Sequence, residues 1–229
     1  MIVSHKHKFI FVKTRKTAGT SVEIALSKIC GRDDIITPIS PNDELKRKEM
    51  GLLTAQNYNI PIKFWNKKDW LKFFFNGFSR PKYRNHMSCE DIASHIDKDI
   101  WNNYYKFTID RNPFDKIVSL YYFLNGQKTY SNVSDFLMNG GLKNIHSYSL
   151  YSINNVLAVD KVYKFEELDL FEKNITSKLQ LKEPFKLLEY KAKSKHREVK
   201  NYKEILDEKA IDMIAVMFAR EIKLLGYSY

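Results

Sequence analysis

The chain has 229 residues, of which 44% are hydrophobic and 14% aromatic, and this composition excludes an intrinsically disordered protein. It is long enough for one α/β domain with a sizeable core, and without a run of about 18 apolar residues we expect no transmembrane helix. The formal net charge of +11 indicates an anionic partner, without choosing among a nucleotide, an acidic glycan, nucleic acid and a membrane surface.

The histidines and cysteines outside the central motifs do not indicate a metal site. His5 and His7 alternate, but we interpret residues 1–8 as a solvated lead-in to a strand. Cys30 and Cys89 do not have the spacing of metal ligands, so we expect two reduced thiols. We expect no metal cofactor.

A short apolar run opens the first motif. Residues 9–12 are aromatic or β-branched and predict a buried strand. Val22, Ala25 and Leu26 then follow the spacing of one helix face, and Gly31 is a plausible stop. Between strand and helix lies a loop of small, basic and hydroxyl residues, namely Arg15, Lys16, Thr17, Ala18, Gly19, Thr20 and Ser21.

This order of strand, loop and helix suits a phosphate group. Backbone N–H groups at a helix N-terminus are unpaired, and the helix dipole favours an anion there. The Gly-Lys-Ser/Thr order of a Walker A loop is missing. A plain strand-to-helix turn with a solvated basic flank explains this stretch equally well when it is considered alone.

Residues 34–84 carry weaker signals. Residues 34–39 predict a second short strand, and residues 43–50 form a charged run that suits a helix. Seven aromatic residues then lie among lysines at Phe64, Trp65, Trp70, Phe73, Phe74, Phe75 and Phe78. Such mixtures stack on sugars or bases or lie on membranes, but we favour a helical cap packed on the sheet. Residues 42–84 would then form a helical insertion on the acceptor side.

His86 precedes a predicted helix start. Ser88 and Asp91 have the spacing of a capping box, and Ile92 and Ile96 lie on an apolar face. A helix N-terminus disfavours a nearby cation, so the imidazole should stay neutral, as a general base requires.

The second strand-to-helix motif is residues 105–122. Residues 105–109 predict a central strand, and Asn112 and Pro113 are typical of the first helical turn. Arg111 follows the strand, where open α/β sheets place ligands, and Ser119 lies beside the buried helix stripe. An arginine fork and a hydroxyl suit a terminal phosphate.

The last third of the chain contains further predicted helices, a late strand and a basic segment. Residues 131–159 suggest helices, residues 160–168 a late strand, and residues 207–225 one amphipathic helix that ends at Gly226. Between them, the basic segment 191–202 contains Ser194, Lys195, His196 and Arg197.

Four stretches of the chain together resemble the sulfotransferases that use 3′-phosphoadenosine 5′-phosphosulfate (PAPS). They are KTAGTS within residues 9–29, His86 within residues 85–93, the Arg-x-Pro-x(5)-Ser pattern within residues 105–122, and residues 160–229 with their LGYSY ending. The resemblance is nearer the carbohydrate type that includes heparan sulfate 2-O-sulfotransferase. One departure is Arg15, where that superfamily usually has proline.

The resemblance implies a P-loop-like α/β fold in one domain, 1–229, with a central parallel sheet flanked by helices. It implies that the loop from Arg15 to Ser21 binds the 5′-phosphosulfate and that Lys16 is the catalytic lysine. Arg111 and Ser119 would hold the 3′-phosphate, and residues 194–197 would close over the nucleotide. His86 would be the general base toward a hydroxyl of a small-molecule or glycan acceptor, and the expected location is cytoplasmic.

Two other classes of function stay open at this stage. One is a P-loop-like nucleotide kinase or NTPase, for which Asp110 is the candidate magnesium ligand at a strand end. The other is a basic nucleic-acid-binding module without catalysis, which we rank last because no recognised nucleic-acid motif is present.

Overall fold

The computed structural model describes residues 1–141, 145, 147–188 and 201–229. The strands are β1 (Ile2–Ser4), β2 (Phe9–Val12), β3 (Ile35–Ile36), β4 (Tyr105–Asp110), β5 (Ser152–Ile153), β6 (Val156–Leu157) and β7 (Lys161–Lys164). The helices are α1 (Gly19–Ser27), α2 (Pro41–Glu49), α3 (Lys67–Phe75), α4 (Cys89–Ser94), α5 (Lys98–Asn103), α6 (Pro113–Phe123), α7 (Val133–Met138), α8 (Leu168–Lys178), α9 (Glu208–Met217) and α10 (Ala219–Leu225).

Five strands form the central sheet in the order β3-β1-β2-β4-β7. β4 pairs in parallel with β2 on one side and with β7 on the other, and β1 runs antiparallel to both of its neighbours. The predicted α/β fold with a parallel core flanked by helices is therefore confirmed. Because β2, β4 and β7 point the same way, the loops that follow them meet at one edge of the sheet.

The two faces of the sheet pack against different helices. Along β2, Phe9 and Phe11 belong to the core that includes α1 and α8, whereas Ile10 and Val12 belong to the core that includes α4. This alternation is the period of two that strand geometry imposes. A third core joins α6, α7 and α9.

The interpretation of residues 1–8 as a solvated lead-in is wrong for their first half. Ile2 and Val3 are fully buried in β1, which lies between β2 and β3 inside the sheet. The strand is only three residues long and is followed directly by polar residues, so its local sequence carries little apolar signal. His5 lies in the turn beyond it, with Nδ1 3.1 Å from the Tyr104 hydroxyl.

Two predictions for the second half of the chain also need correction. The single helix predicted over residues 207–225 is two helices, because the backbone of Phe218 leaves the helical region at φ −111° and ψ 23° while its ring is fully buried. Gly226 does end the second helix, at φ 63°. Residues 131–159 contain α7 and also the antiparallel hairpin of β5 and β6, which the helical interpretation missed.

Only the first part of the aromatic segment packs on the sheet as predicted. Phe64 and Trp65 pack against a buried core, but Trp70, Phe74 and Phe78 are exposed large hydrophobic side chains. Helical periodicity identified the helix α3 but could not say whether a partner covers its apolar side. Within the described part of the chain, no helix has both the length and the apolar character needed to cross a membrane.

A buried charge cluster ties the end of β4 to the helix that follows it. Lys116 Nζ donates to Asp110 Oδ1 at 2.6 Å, and neither side chain is exposed to solvent. The Tyr151 hydroxyl donates to Asp110 Oδ2 at 2.9 Å, and Lys116 also donates to the Ser147 hydroxyl. Both oxygens of Asp110 are thus neutralised or hydrogen-bonded, as a buried carboxylate requires.

Replacing Lys116 with Met should lower the free energy of unfolding by about 3–5 kcal/mol, because it leaves the Asp110 carboxylate buried without its cation. Urea unfolding measures this loss. Lys46→Met is the matched control, because the Lys46–Glu49 pair is exposed and such pairs contribute about 0–1 kcal/mol. Equal losses in the two variants would contradict the structural role of the Asp110–Lys116 pair.

Candidate functional site

The loop between β2 and α1 brings the N-terminus of α1 to the edge where the parallel strands end. Lys16 and Ala18 both have left-handed backbones, with φ 60° and φ 55°. Ala18 is the N-cap of α1, and no side chain caps the helix there. The first backbone bond of the helix runs from Val22 N to Ala18 O at 3.1 Å, so the amides before Val22 have no acceptor within the helix. Such a terminus is suited to an anion.

Hydrogen bonds inside the fold hold this loop in place. The Thr14 hydroxyl donates to the Ile109 carbonyl of β4, so Thr17 Oγ1, 2.8 Å away, donates in turn to Thr14. Because Thr17 is only 1% exposed, its hydroxyl helps to hold the loop against Thr14, just after β2. Thr20 and Ser21 are half-buried at the start of α1.

Position 19 must be glycine because the Lys13 side chain passes too close to leave room for a Cβ atom. A Cβ at Gly19 would lie 2.8 Å from Lys13 Cγ, closer than real Cβ contacts. Lys13 Nζ reaches past this point to Glu23 Oε2 at 2.5 Å, in a pair that is almost fully buried. Lys13 Nζ also lies 3.5 Å from Asn85 Oδ1, so the same lysine contacts the segment that carries His86.

His86 is held against the loop by its Nδ1 atom, which lies 3.1 Å from the Lys13 carbonyl oxygen. In the neutral ring the proton is then on Nδ1, and the lone pair is on Nε2. Burial, with the charges of Lys13 and Arg15, lowers the pKa of His86 from 6.5 to about 4. The lowered pKa agrees with the neutral imidazole predicted from the sequence, and burial is its largest cause.

Arg111 contacts the same loop from the end of β4. Its Nη1 donates to the Lys16 carbonyl at 3.3 Å, and its Nε donates to Asp115 Oδ2 at 2.7 Å. The guanidinium also lies 4.3 Å from the centre of the Phe165 ring. Contacts on three sides fix the orientation of the fork, while the side chain keeps 13% of its surface exposed.

Ser119 lies on the helix face that turns toward Lys16. Asp115, Ser119 and Phe123 are spaced four residues apart on α6, so they share one side of the helix. At one end of this row Arg111 bonds the Lys16 backbone, and at the other the Phe123 ring lies 3.9 Å from Lys16 Nζ. Ser119 stands between these contacts and is partly exposed.

Three predicted site residues from distant parts of the sequence thus meet at one loop, because His86 and Arg111 both contact the backbone of the segment that contains Lys16. The sequence interpretation missed Lys13, Asp115 and Phe123. The i, i+4 spacing from Arg111 could have indicated Asp115, whereas nothing local indicates that Lys13 contacts Asn85. Ser194, Lys195, His196 and Arg197 lie outside the described residues, as does His146.

The candidate magnesium ligand of the kinase alternative is engaged elsewhere. Asp110 accepts from Lys116 and Tyr151, and it also accepts the backbone N–H of Arg111 at 2.8 Å. Its carboxylate lies inside the fold with no exposed surface. Among the described residues, no group of three or more His, Cys, Asp and Glu side chains is arranged to hold a metal ion.

Comparison with known proteins decides the family. A model described as the sulfotransferase family matches residues 1–228, which is nearly the whole chain. The chain belongs to the sulfotransferase family. No curated protein and no solved structure matches it. Membership means that this sulfotransferase is a transferase of sulfuryl groups, and its loop, histidine and arginine are the candidates for that chemistry.

Removing the charge of Arg15 should raise the pKa of His86 from about 4 toward its ordinary value, because Arg15 is one of the cations that lower it. An NMR titration of the His86 ring measures the shift. Arg15→Ala is the test variant, and Arg15→Lys is the matched control that keeps the charge. The same pKa in wild type and Arg15→Ala would show that Arg15 does not act on the imidazole.

Proposed function

We propose that the protein transfers a sulfuryl group from PAPS to a hydroxyl group of a carbohydrate acceptor. The observation that carries this proposal is the meeting of Lys16, His86 and Arg111 at one loop. Sulfuryl transfer from a nucleotide needs an anion-binding helix N-terminus, a neutral base and a cation that binds phosphate. Residues of these three kinds lie together at the ends of the parallel strands.

The residues at the loop fit the two charged ends of PAPS. The uncapped amides of α1 are suited to the 5′-phosphosulfate, within the segment from Arg15 to Ser21. Arg111 and Ser119 are suited to the 3′-phosphate, since they lie on the same side of the loop and offer a fork and a hydroxyl. PAPS supplies the sulfuryl group, and adenosine 3′,5′-bisphosphate is the product that leaves.

The proposed chemistry divides between two side chains. His86 Nε2 accepts the proton of the acceptor hydroxyl, a role worth about 10²–10⁴ in rate for a positioned base. Lys16 neutralises the charge that develops on the leaving phosphate oxygen, which makes its interaction strongest in the transition state. Because Phe123 lies against Lys16 Nζ, the ammonium is held near the loop before any ligand arrives.

A cavity beside His86 suggests where the acceptor binds. We propose that residues 42–84 form an insertion on that side, because Arg84 and Met87, close to His86 in sequence, line a cavity of about 400 Å³ together with residues of α3. A carbohydrate acceptor, nearness to the heparan sulfate 2-O type and a cytoplasmic location belong to the same proposal. The kinase alternative is disfavoured by the engaged carboxylate of Asp110.

Adenosine 3′,5′-bisphosphate should stabilise the protein against heat, by about 2.7 kcal/mol at a hundredfold excess over its dissociation constant, and ATP should do so less. Arg111→Ala should weaken this binding by at most about 1.5–3 kcal/mol, because the charge-assisted pair with the 3′-phosphate is lost and Asp115 competes for the same guanidinium. Thermal shift and calorimetry measure both effects. Arg220→Ala is the matched control, since Arg220 bonds Asn155 on another part of the surface.

Two outcomes of that experiment would contradict the proposal. An unchanged dissociation constant of Arg111→Ala for adenosine 3′,5′-bisphosphate would show that this arginine does not bind the nucleotide. Stronger stabilisation by ATP with magnesium than by the bisphosphate would favour a kinase or NTPase.

The rate of sulfuryl transfer should rise as the pH increases through about 4 and be level near neutral pH, because only the unprotonated His86 ring accepts a proton. His86→Gln should lower the rate by about 10²–10⁴ and remove this acidic limb, with nucleotide affinity intact. Slow hydrolysis of PAPS or a screen of sugar acceptors provides the assay. A full rate in His86→Gln, together with a lost rate in His146→Gln, would make His146 the base.

A further inference from the structure

An exposed aromatic face lies on α3 and the turn that follows it. We define the aromatic face as Trp70, Leu71, Phe74, Phe75 and Phe78. Phe75 is 82% exposed and Phe78 is 66% exposed, so the largest apolar side chains of this segment point toward solvent. Single exposed apolar residues are ordinary, but five on one helix and its turn form a contiguous patch of the kind that marks an interaction surface.

The helix is fixed by polar contacts at its N-terminus rather than by burial of this face. Asn66 and Asp69 form a complete capping box, each side chain binding the backbone of the other residue. Asp69 Oδ2 also lies 2.8 Å from His95 Nε2, which attaches the helix to the end of α4. These contacts hold one side of the helix against the protein and leave the opposite side uncovered.

The end of the helix keeps Phe78 within the aromatic face. Gly77 and Phe78 both adopt left-handed backbones, and Phe78 N donates to Phe73 O at 2.8 Å. The Phe78 ring then lies 5.4 Å from the Phe73 ring and 6.1 Å from the Phe74 ring, centre to centre. The turn therefore returns an aromatic side chain to the face instead of carrying it away.

Cations lie beside the aromatic face. Lys67, Lys68 and Lys72 lie on the same helix, and Lys63, Arg80 and Lys82 flank it in sequence. The one acidic residue among residues 61–82 is Asp69, which is buried and bound to His95. At 100° per residue, Trp70, Phe74, Leu71 and Phe75 occupy one arc of the helix. Lys67 falls within this arc at the first turn, and Lys68 and Lys72 border it on the Phe75 side. Lysines at such a border keep their ammonium groups in water or among headgroups while their stems cover apolar surface.

We propose that the aromatic face docks the protein on an anionic lipid bilayer, with the rings inserted at the headgroup boundary and the neighbouring lysines against the lipid phosphates. A helix with an apolar aromatic arc and a lysine border has the pattern of helices that lie in the membrane interface. The proposal does not depend on the sulfotransferase chemistry, because it concerns α3 and not the loop after β2.

The contacts within the face favour a bilayer over a glycan. Sugars stack on open ring faces, but the Trp70 and Phe74 rings are stacked on each other at an interplanar angle of 24°, and Phe78 is turned edge-on to both Phe73 and Phe74. Ring faces that are turned toward neighbouring rings are less open to a sugar, and the ring edges that remain suit acyl chains. The cationic border matches a negatively charged surface, so the occupant we infer is an anionic membrane.

Co-sedimentation with vesicles tests the docking surface, using the full chain and either phosphatidylcholine alone or phosphatidylcholine mixed with phosphatidylglycerol. Wild type should bind the mixed vesicles, and added salt should weaken this binding. The double variant Phe74→Ser with Phe75→Ser should bind them about tenfold or more weakly, since each buried aromatic side chain contributes at least that much. Val216→Ser with Leu224→Ser is the matched control, because it removes two exposed apolar side chains elsewhere.

Circular dichroism and the thermal shift with adenosine 3′,5′-bisphosphate show whether each variant is folded. Lys67→Gln with Lys72→Gln provides a second line of evidence, and it should weaken binding to mixed vesicles without touching any aromatic ring. Failure of wild type to bind mixed vesicles would overturn the proposal, as would equal binding by wild type and the phenylalanine variant. A wild-type dimer that dissociates in the phenylalanine variant would overturn it too, by assigning the face to a second copy of the chain.

Discussion

The buried pair of Lys13 and Glu23 is the interaction on which the arrangement of the site depends. Taking both charges out of water is costly, and the pair is tolerated because the two groups are 2.5 Å apart and further hydrogen bonds support them. Its geometry requires Gly19, whose missing side chain lets Lys13 pass. The same lysine positions His86 through its carbonyl group and lowers the pKa of that histidine through its charge. Lys13 thus contributes both to the stability of the fold and to the protonation state of His86, the proposed base.

The parts of the site that could be predicted are those whose signals are local. β2, the loop before α1, and the sequence from Arg111 to Pro113 all follow from apolar runs, caps and a strand end within a few residues. The contact of Asn85 with Lys13 could not be predicted, because it joins segments that only the tertiary fold brings together. Local signals therefore predicted the elements that carry the candidate residues, whereas long-range contacts lower the pKa of His86 and orient Arg111.

The wrong predictions about the fold also concern features that tertiary packing decides and local sequence does not. β1 is buried because two strands flank it, although its own sequence is short and followed by polar residues. The break at Phe218 occurs without glycine or proline, so packing of a buried ring decides it rather than intrinsic propensity. The exposure of Phe75 shows the reverse case, in which an apolar helix side has no covering element among the described residues.

The pairing of Arg111 with Asp115 bears on how long a nucleotide would stay bound. The carboxylate already occupies donors of the guanidinium, so a phosphate arriving there would exchange one charge-assisted bond for another instead of adding a new one. The net gain is then smaller than the strength of either bond. Under the proposed assignment, donor and product carry the same 3′-phosphate, so this competition shortens the residence time of the product, and departure of the spent nucleotide is often the slow step of an enzyme cycle.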